Sequence, residues 1–277
     1  LSGKLTSSKN RPPAISKPQA RPGNGPTLLL TRESSSGDKR RRLNRSLFNH
    51  IAPGYDRMNT ILSLGRDRAW KRLLVASLPE IRKPRILDLA TGTGDLAFLL
   101  SRRYPDARII GLDLSEEMLA LAKSRALGEK TLATFSWKRG DMAETGLTSG
   151  CIDLVTAGYA LRNAPDLGAT LAELARVLKP GGVAAILEFS KSPHLILQKL
   201  ELAFLWLWGG FWGFVVHRNR HVYQYFAHSL ALYPDHRGLV ARFEAHGLIK
   251  VADRALYFGM LRIQLFRKSV RRSRRNA

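Results

Sequence analysis

Asp88, Asp113 and Asp141 each follow a strand-like run, in "LDLATGTGD" (87–95), "GLDLS" (111–115) and "RGDMAE" (139–144). In the first stretch, Gly92 and Gly94 separate a strand-like from a helix-like segment. Glycine there permits positive φ and lets a ligand approach the backbone. With Ala97 the stretch also satisfies the dinucleotide pattern G-x-G-x-x-A. The carboxylates separate the candidate ligands. Asp95 opens the following helix and suits its positive dipole end, but a pyrophosphate would meet it as an anion. A ligand with an ammonium group and no phosphate fits better, and S-adenosylmethionine is one. Asp88 can then hold the ammonium, directly or through water. Asp113, nineteen residues beyond Gly94, can accept both ribose hydroxyls of an adenosine. Ser115 supplies the cap of the next helix, ahead of Glu116 and Glu117, and leaves Asp113 to the ligand. Asp141 can accept from the adenine amino group while the backbone of Met142 reads the ring.

Alternating elements must carry these residues. The pattern predicts a strand at 86–89, a helix at 95–103, a strand at 109–114 and a helix at 115–126. Strands near 132–139 and at 152–158 follow, then a helix at 166–178, a "PGG" turn at 180–182 and the strand "VAAILEF". Strands alternating with helices imply parallel crossovers, hence an α/β fold with a doubly wound sheet. Ligands of such sheets bind at the carboxyl ends of the strands, where the motifs lie.

The chain has 277 residues, 44% of them hydrophobic, and one cysteine. Cys151 alone allows no internal disulfide framework and no multi-cysteine metal site, and no metal-ligand set is expected. Of the net charge of +23, residues 1–45 and 262–277 carry +16. Such ends favour acidic membrane headgroups or nucleic acid. Residues 1–45 read as a basic, disordered segment, of which 1–36 also resemble an organelle transit segment, and 269–277 as a basic tail. Residues 202–216, "LAFLWLWGGFWGFVV", hold three of the five tryptophans. A spanning helix needs about 20 apolar residues, so this run is too short to cross a bilayer. It suits a lipid interface, with Arg218 and Arg220 of the following "HRNRH" meeting acidic headgroups, or else a buried core or dimer helix.

"LFNHIAPGYDRMNTILSLGRDRAWKR", "LDLATGTGDLAF", "GYALRNAPD", "RVLKPGG" and "LEFSK", in that order, resemble the menaquinone/ubiquinone biosynthesis C-methyltransferase family. "YQYFAHSLALYPD" resembles a later segment of the same family. The resemblance covers about residues 47–268. It implies a class I methyltransferase domain over 46–268, with a mostly parallel seven-stranded sheet. An N-terminal helical lid and a helical substrate cap at 194–235 complete the expected domain. Thr93, Asp113, Asp141 and Met142 fall at the family's cofactor contacts, and Gly158 sits where the family often has serine. Asp67 stands where the family usually has histidine.

The implied reaction moves a methyl group from S-adenosylmethionine to a ring carbon of a prenylated hydroquinone, demethylmenaquinol foremost. It requires near-attack geometry, stabilisation of a phenolate-like oxygen and a proton acceptor. Arg162, always protonated, is the choice for the oxyanion, with Asn163 orienting a water or the loop. Tyr55, with Asp56 and Asn59, belongs to the segment expected to fold over the cofactor. His217, His221, Tyr223 and His228 are candidate proton acceptors, none singled out. A homodimer or a quinone-synthesis complex is an expected partner, and nucleic acid is disfavoured. The expected location is cytoplasmic, at the inner membrane face, or the mitochondrial matrix or a plastid if the N-terminal segment is a transit peptide. A dehydrogenase, a methyltransferase acting on RNA or another lipid-like molecule, and a non-catalytic scaffold are the competing readings. Asp95 and "YALRN" weigh against the dehydrogenase, and a scaffold would not need Arg162.

Overall fold

The computed structural model describes residues 37–270, apart from Pro193 and residues 218–220. Three N-terminal helices, α1 (Gly37–Ile51), α2 (Tyr55–Leu62) and α3 (Asp67–Ala76), precede the sheet. Then follow β1 (Arg85–Leu89), α4 (Asp95–Arg103), β2 (Arg108–Asp113), α5 (Glu116–Ala126), β3 (Thr134–Arg139), β4 (Ile152–Gly158), α6 (Leu167–Val177) and β5 (Leu178–Phe189). Helices α7 (Leu195–His217), α8 (His221–Leu232) and α9 (His236–Ala245) lead to the hairpin of β6 (Leu248–Leu256) and β7 (Leu261–Lys268).

The seven strands run in the order β3-β2-β1-β4-β5-β7-β6. β1 to β5 are parallel, and β7 is antiparallel to both its neighbours. The order reverses between β1 and β4, which is the switch point where a ligand crevice forms. Burial on both faces makes the central strands continuous apolar runs. Ile86 faces a layer built from α3 and α4 with Leu74 and Leu100, while Leu87 faces Leu171 of α6 and Phe243 of α9. The "PGG" stretch lies inside β5, where the register with β4 shifts between Leu178 and Val183 and Gly181 adopts φ 80°.

Residues 37–45 are not disordered as expected; they form the first part of α1. Leu43, Leu47, Phe48 and Ile51 have helical spacing, and Leu47 and Ile51 are buried against Met58, Met118 and Tyr225. That apolar stripe offsets a run of like charge that would otherwise oppose folding. Residues 1–36 and 271–277, and with them most of both basic tails, lie outside the described residues.

No helix among the described residues is long and apolar enough to cross a membrane. In α7 the three tryptophans part company. Trp206 is half exposed, Trp208 lines an internal cavity, and Trp212 packs on the cluster formed by α1, α2 and α8.

Candidate active site

Four strand ends converge on one cleft. Gly92 follows β1, Asp113 ends β2, Asp141 and Met142 follow β3, and Gly158 ends β4. Gly92 has φ 57°, and a Cβ there would stand 3.8 Å from the Tyr55 ring, on the opposite wall. Asp113 does two things at once. Its Oδ2 accepts the Gly92 N–H at 2.8 Å and its Oδ1 the Ser115 N–H at 2.9 Å, so it fastens the loop as well as facing the cleft. Burial pushes its pKa up. Ser115 caps α5 through the Met118 N–H, as expected. Asp141 accepts from the Ala143 N–H at 2.8 Å and is also ion-paired to Arg41 of α1. Leu112, Met118 and Met142 give the cleft an apolar wall. A carboxylate beside a glycine loop and an apolar wall fit an adenosyl group.

Asp88, Thr93 and Gly94 stand behind this cleft rather than lining it. The Asp88 oxygens accept the hydroxyls of Thr91 and Thr156, each at 2.6 Å, so the residue bolts the β1 loop to β4. Burial pushes its pKa up to about 6. Each Asp88 oxygen thus holds one hydroxyl below the loop. Thr93 donates to Asp56 at 2.6 Å, which ties the loop to α2. Gly94 caps α4 at φ 87°, and a Cβ there would come within 2.8 Å of Phe98.

Asp95 is not a bare anion either. Lys71 lies 3.1 Å away and Arg125 pairs with it, and against burial these cations hold its carboxyl below the usual range. Arg125 also reaches Asp56 at 2.9 Å, and Lys71 reaches Asp67 at 2.7 Å. A row of alternating charges thus runs Asp67–Lys71–Asp95–Arg125–Asp56 and ends at the Thr93 hydroxyl.

Beside the cleft lies a second cavity of about 140 Å³. Phe48, Tyr55, Tyr159 and Asn163 line both spaces and form the junction. Leu205, Trp208 and Phe226 of α7 and α8 close the far side. Tyr159, directly after β4, holds φ 58°, a left-handed conformation that costs a bulky residue energy and collects at functional sites. Within this apolar shell, five lining side chains carry a buried polar atom with no hydrogen-bond partner: Asn59 Nδ2, Asp67 Oδ1, Tyr159 Oη, Arg162 Nε and Asn163 Oδ1. Orphaned buried polar groups are costly, and several on one cavity mark where a ligand's polar groups belong.

Arg162 lines this cavity, and not as a free cation. Its guanidinium pairs with Glu188 at 2.7 Å and lies 4.5 Å from the Phe226 ring centre. Asn163 accepts at its carbonyl from Asn44 Nδ2 at 2.6 Å, and the Asn44 side chain in turn accepts from Tyr225. Arg40 donates to the Arg162 carbonyl at 2.9 Å. Helix α1 therefore grips the turn that carries Arg162 and Asn163. Sequence reasoning missed Asn44, Arg40 and Arg41 because a basic run masks the apolar period. Glu188 was visible only as part of "LEFSK". His228 is exposed, whereas Arg218, Arg220 and the side chains of His217, His221 and Tyr223 lie outside the described residues.

The sequence model of the ubiE/COQ5 methyltransferase family matches residues 35–268, which takes in α1 and all seven strands. The chain belongs to that family. The Ubiquinone/menaquinone biosynthesis C-methyltransferase UbiE of Dinoroseobacter shibae is 34% identical over 223 residues, 80% of this chain and 89% of its own. The Demethylmenaquinone methyltransferase of Thermus thermophilus is 35% identical over 219 residues, 79% of this chain and 98% of its own. A methyltransferase from Haloferax volcanii, solved with the Trm112 methyltransferase activator, shares the fold with a TM-score of 0.59 at 20% identity. It covers 80% of this chain and 98% of its own. Membership in the ubiE/COQ5 family makes the cofactor S-adenosylmethionine.

Proposed function

We propose that the protein methylates a ring carbon of a prenylated hydroquinone, demethylmenaquinol foremost, using S-adenosylmethionine. One observation carries this reading: an apolar cavity with several orphaned polar atoms adjoins the cofactor cleft through Phe48, Tyr55, Tyr159 and Asn163. Apolar walls suit a quinol ring and the first part of its prenyl chain, and the polar atoms suit its two hydroxyls. The names of the quinone-methylating relatives point to the same acceptor class.

S-adenosylmethionine supplies an electrophilic methyl group. The chain supplies position and electrostatics. Tyr55 and Tyr159 form the wall between the two spaces and exclude water there. Arg162, held by Glu188 and stacked on Phe226, presents a fixed donor toward a ring oxygen that gains negative charge. Asn163 shares the turn and offers its side-chain Oδ1.

The test is direct. The protein is incubated with methyl-labelled S-adenosylmethionine and reduced demethylmenaquinone or demethoxyubiquinone analogues, and carbon-methylated product is expected. No turnover with either reduced quinone overturns the reading. We also infer that the protein works at an acidic membrane surface on the inner, cytoplasmic face. The half-exposed aromatic residues of α7 and the basic composition support that placement.

A further inference from the structure

Asp67 opens α3 and is 8% exposed, and Lys71 pairs with one of its oxygens. Oδ2 lies 2.7 Å from Lys71 Nζ, while Oδ1 has no hydrogen-bond partner although it is buried and its side chain lines the acceptor cavity. Lys71 is itself bracketed by Asp95 on its other side at 3.1 Å. Asp67 is thus anchored at one oxygen by Lys71, and across the cavity it faces the Tyr159 phenol. Two further orphans, Asn59 Nδ2 and Tyr159 Oη, line the same cavity.

We propose that Asp67 is the proton acceptor of the methyl transfer, taking the hydrogen bond and then the proton of the quinol hydroxyl that activates the methylated carbon. The assignment rests on the reading of the cavity as a quinol site. The O–H bond breaks toward Asp67 Oδ1, and its electron pair passes through the ring to the carbon that forms the new bond to the methyl group. The carbon–sulfur bond breaks with its pair left on sulfur. The methylated carbon then loses its hydrogen as a proton, the ring oxygen recovers the proton held by Asp67, and one proton leaves per turnover. A carboxylate is a weaker base than a phenolate. Transfer becomes favourable as the new carbon–carbon bond forms, because the ring oxygen is then turning ketonic.

The other groups around the cavity are less suited. Burial pushes the phenols of Tyr55 and Tyr159 up, so they stay protonated and act as donors. Burial opposes the charge on Lys71, but Asp67 and Asp95 outweigh it and hold the ammonium above its ordinary range. Arg162 is permanently protonated. Glu188 accepts from Arg162 at both the guanidinium and the backbone N–H. Asp67 is the carboxylate that lines the cavity with an open oxygen.

Asp67→Asn keeps the shape and removes the basicity. Its kcat is expected to fall about 100-fold or more, within the range typical of general-base loss, while S-adenosylmethionine affinity by calorimetry changes far less, the Lys71–Asp95 pair remaining in place. The pH dependence of kcat gives a second readout. Lys71 pairs with Asp67 on its own helix with Asp95 of α4 beyond it, and Tyr55, Tyr159, Arg162 and Tyr225 are the other ionisable groups lining the same cavity. The wild type should lose activity on the acid side, Asp67→Asn should lose that limb, and Asp67→His should move it toward the histidine range. A kcat for Asp67→Asn within threefold of wild type, or an unchanged acid limb, overturns the assignment. Should Asp67→Asn fail to bind cofactor, Asp67→Asn with Lys71→Met removes the unpaired ammonium and repeats the test. Loss of cofactor binding in that protein too shows a structural role and overturns it. A wild type inactive on every reduced quinone removes the quinol reading and this assignment together, whereas turnover by wild type and variant alike removes only the assignment.

Discussion

Asp88 is a carboxylate kept where charge is costly. Its folded value of about 6 lies above the ordinary 3.8. The folded chain therefore binds more protons than the unfolded chain between these values, and stability falls as pH rises through that window. Above pH 6 the full penalty is present; near pH 4 it is absent. Asp88→Asn is expected to melt higher than wild type at pH 7.5, with the difference closing toward pH 4 in thermal unfolding. S-adenosylmethionine affinity should be nearly unchanged, since the Asp88 oxygens point to Thr91 and Thr156 rather than to the cleft. At this scale the sequence was informative about position and less so about role. Asp113, Asp141, Met142 and Gly158 do line the cleft, because a residue at a parallel strand's carboxyl end can hardly lie elsewhere. Asp88 sits one residue inside its strand, and that small offset turns it from the ligand to the loop's underside. Asp67 drew notice only as a departure from a familiar pattern, since an open oxygen is a property of packing.

Helix α1 shows how an element can hide. Residues 39–45 hold five cations, and composition alone argues for a solvated tail. The apolar stripe through Leu43, Leu47, Phe48 and Ile51 argues otherwise, and burial against Met58, Met118 and Tyr225 decides the matter. By contrast, the helix at 95–103 and the strand at 152–158 were legible to the residue, because their apolar periods run without interruption between glycine or proline signals. The position of α1 has a measurable cost. Arg41 occupies the Asp141 carboxylate at the place expected for the adenine amino group. A partly exposed ion pair of this kind is worth about 1 kcal/mol or less, so its removal should tighten cofactor binding by up to about fivefold. Arg41→Ala is expected to show that gain in calorimetry with S-adenosylmethionine, and weaker binding would mean that Arg41 helps to hold the ligand.

On the scale of the whole molecule, the excess positive charge and the exposed aromatics of α7 belong to one surface problem. Phe204, Trp206, Leu207 and Phe211 are each at least half exposed, while Trp208, two residues from Trp206, points into the acceptor cavity. The sequence showed the oily run but not this division, since consecutive aromatics mask the helical period. Exposed tryptophan and phenylalanine suit the lipid interface, and each nearby Lys or Arg adds about 1 kcal/mol on an acidic surface. Replacing Phe204 and Trp206 with serine should lower co-sedimentation with acidic liposomes several-fold and leave S-adenosylmethionine affinity unchanged. Trp208→Ser should instead raise the KM for a quinol with a short prenyl chain. Equal loss of liposome and cofactor binding in the Phe204/Trp206 variant would mean that these two side chains support the fold.

The row of charges from Asp67 to Thr93 joins the acceptor cavity to the cofactor loop through α3, α4, α5 and α2. Each cation in it serves two carboxylates, so a shift at one end changes the bonding available at the other. The two ligands then share one coupling constant. Whatever factor S-adenosylmethionine adds to quinol affinity, the quinol must return to S-adenosylmethionine, whichever of them arrives first.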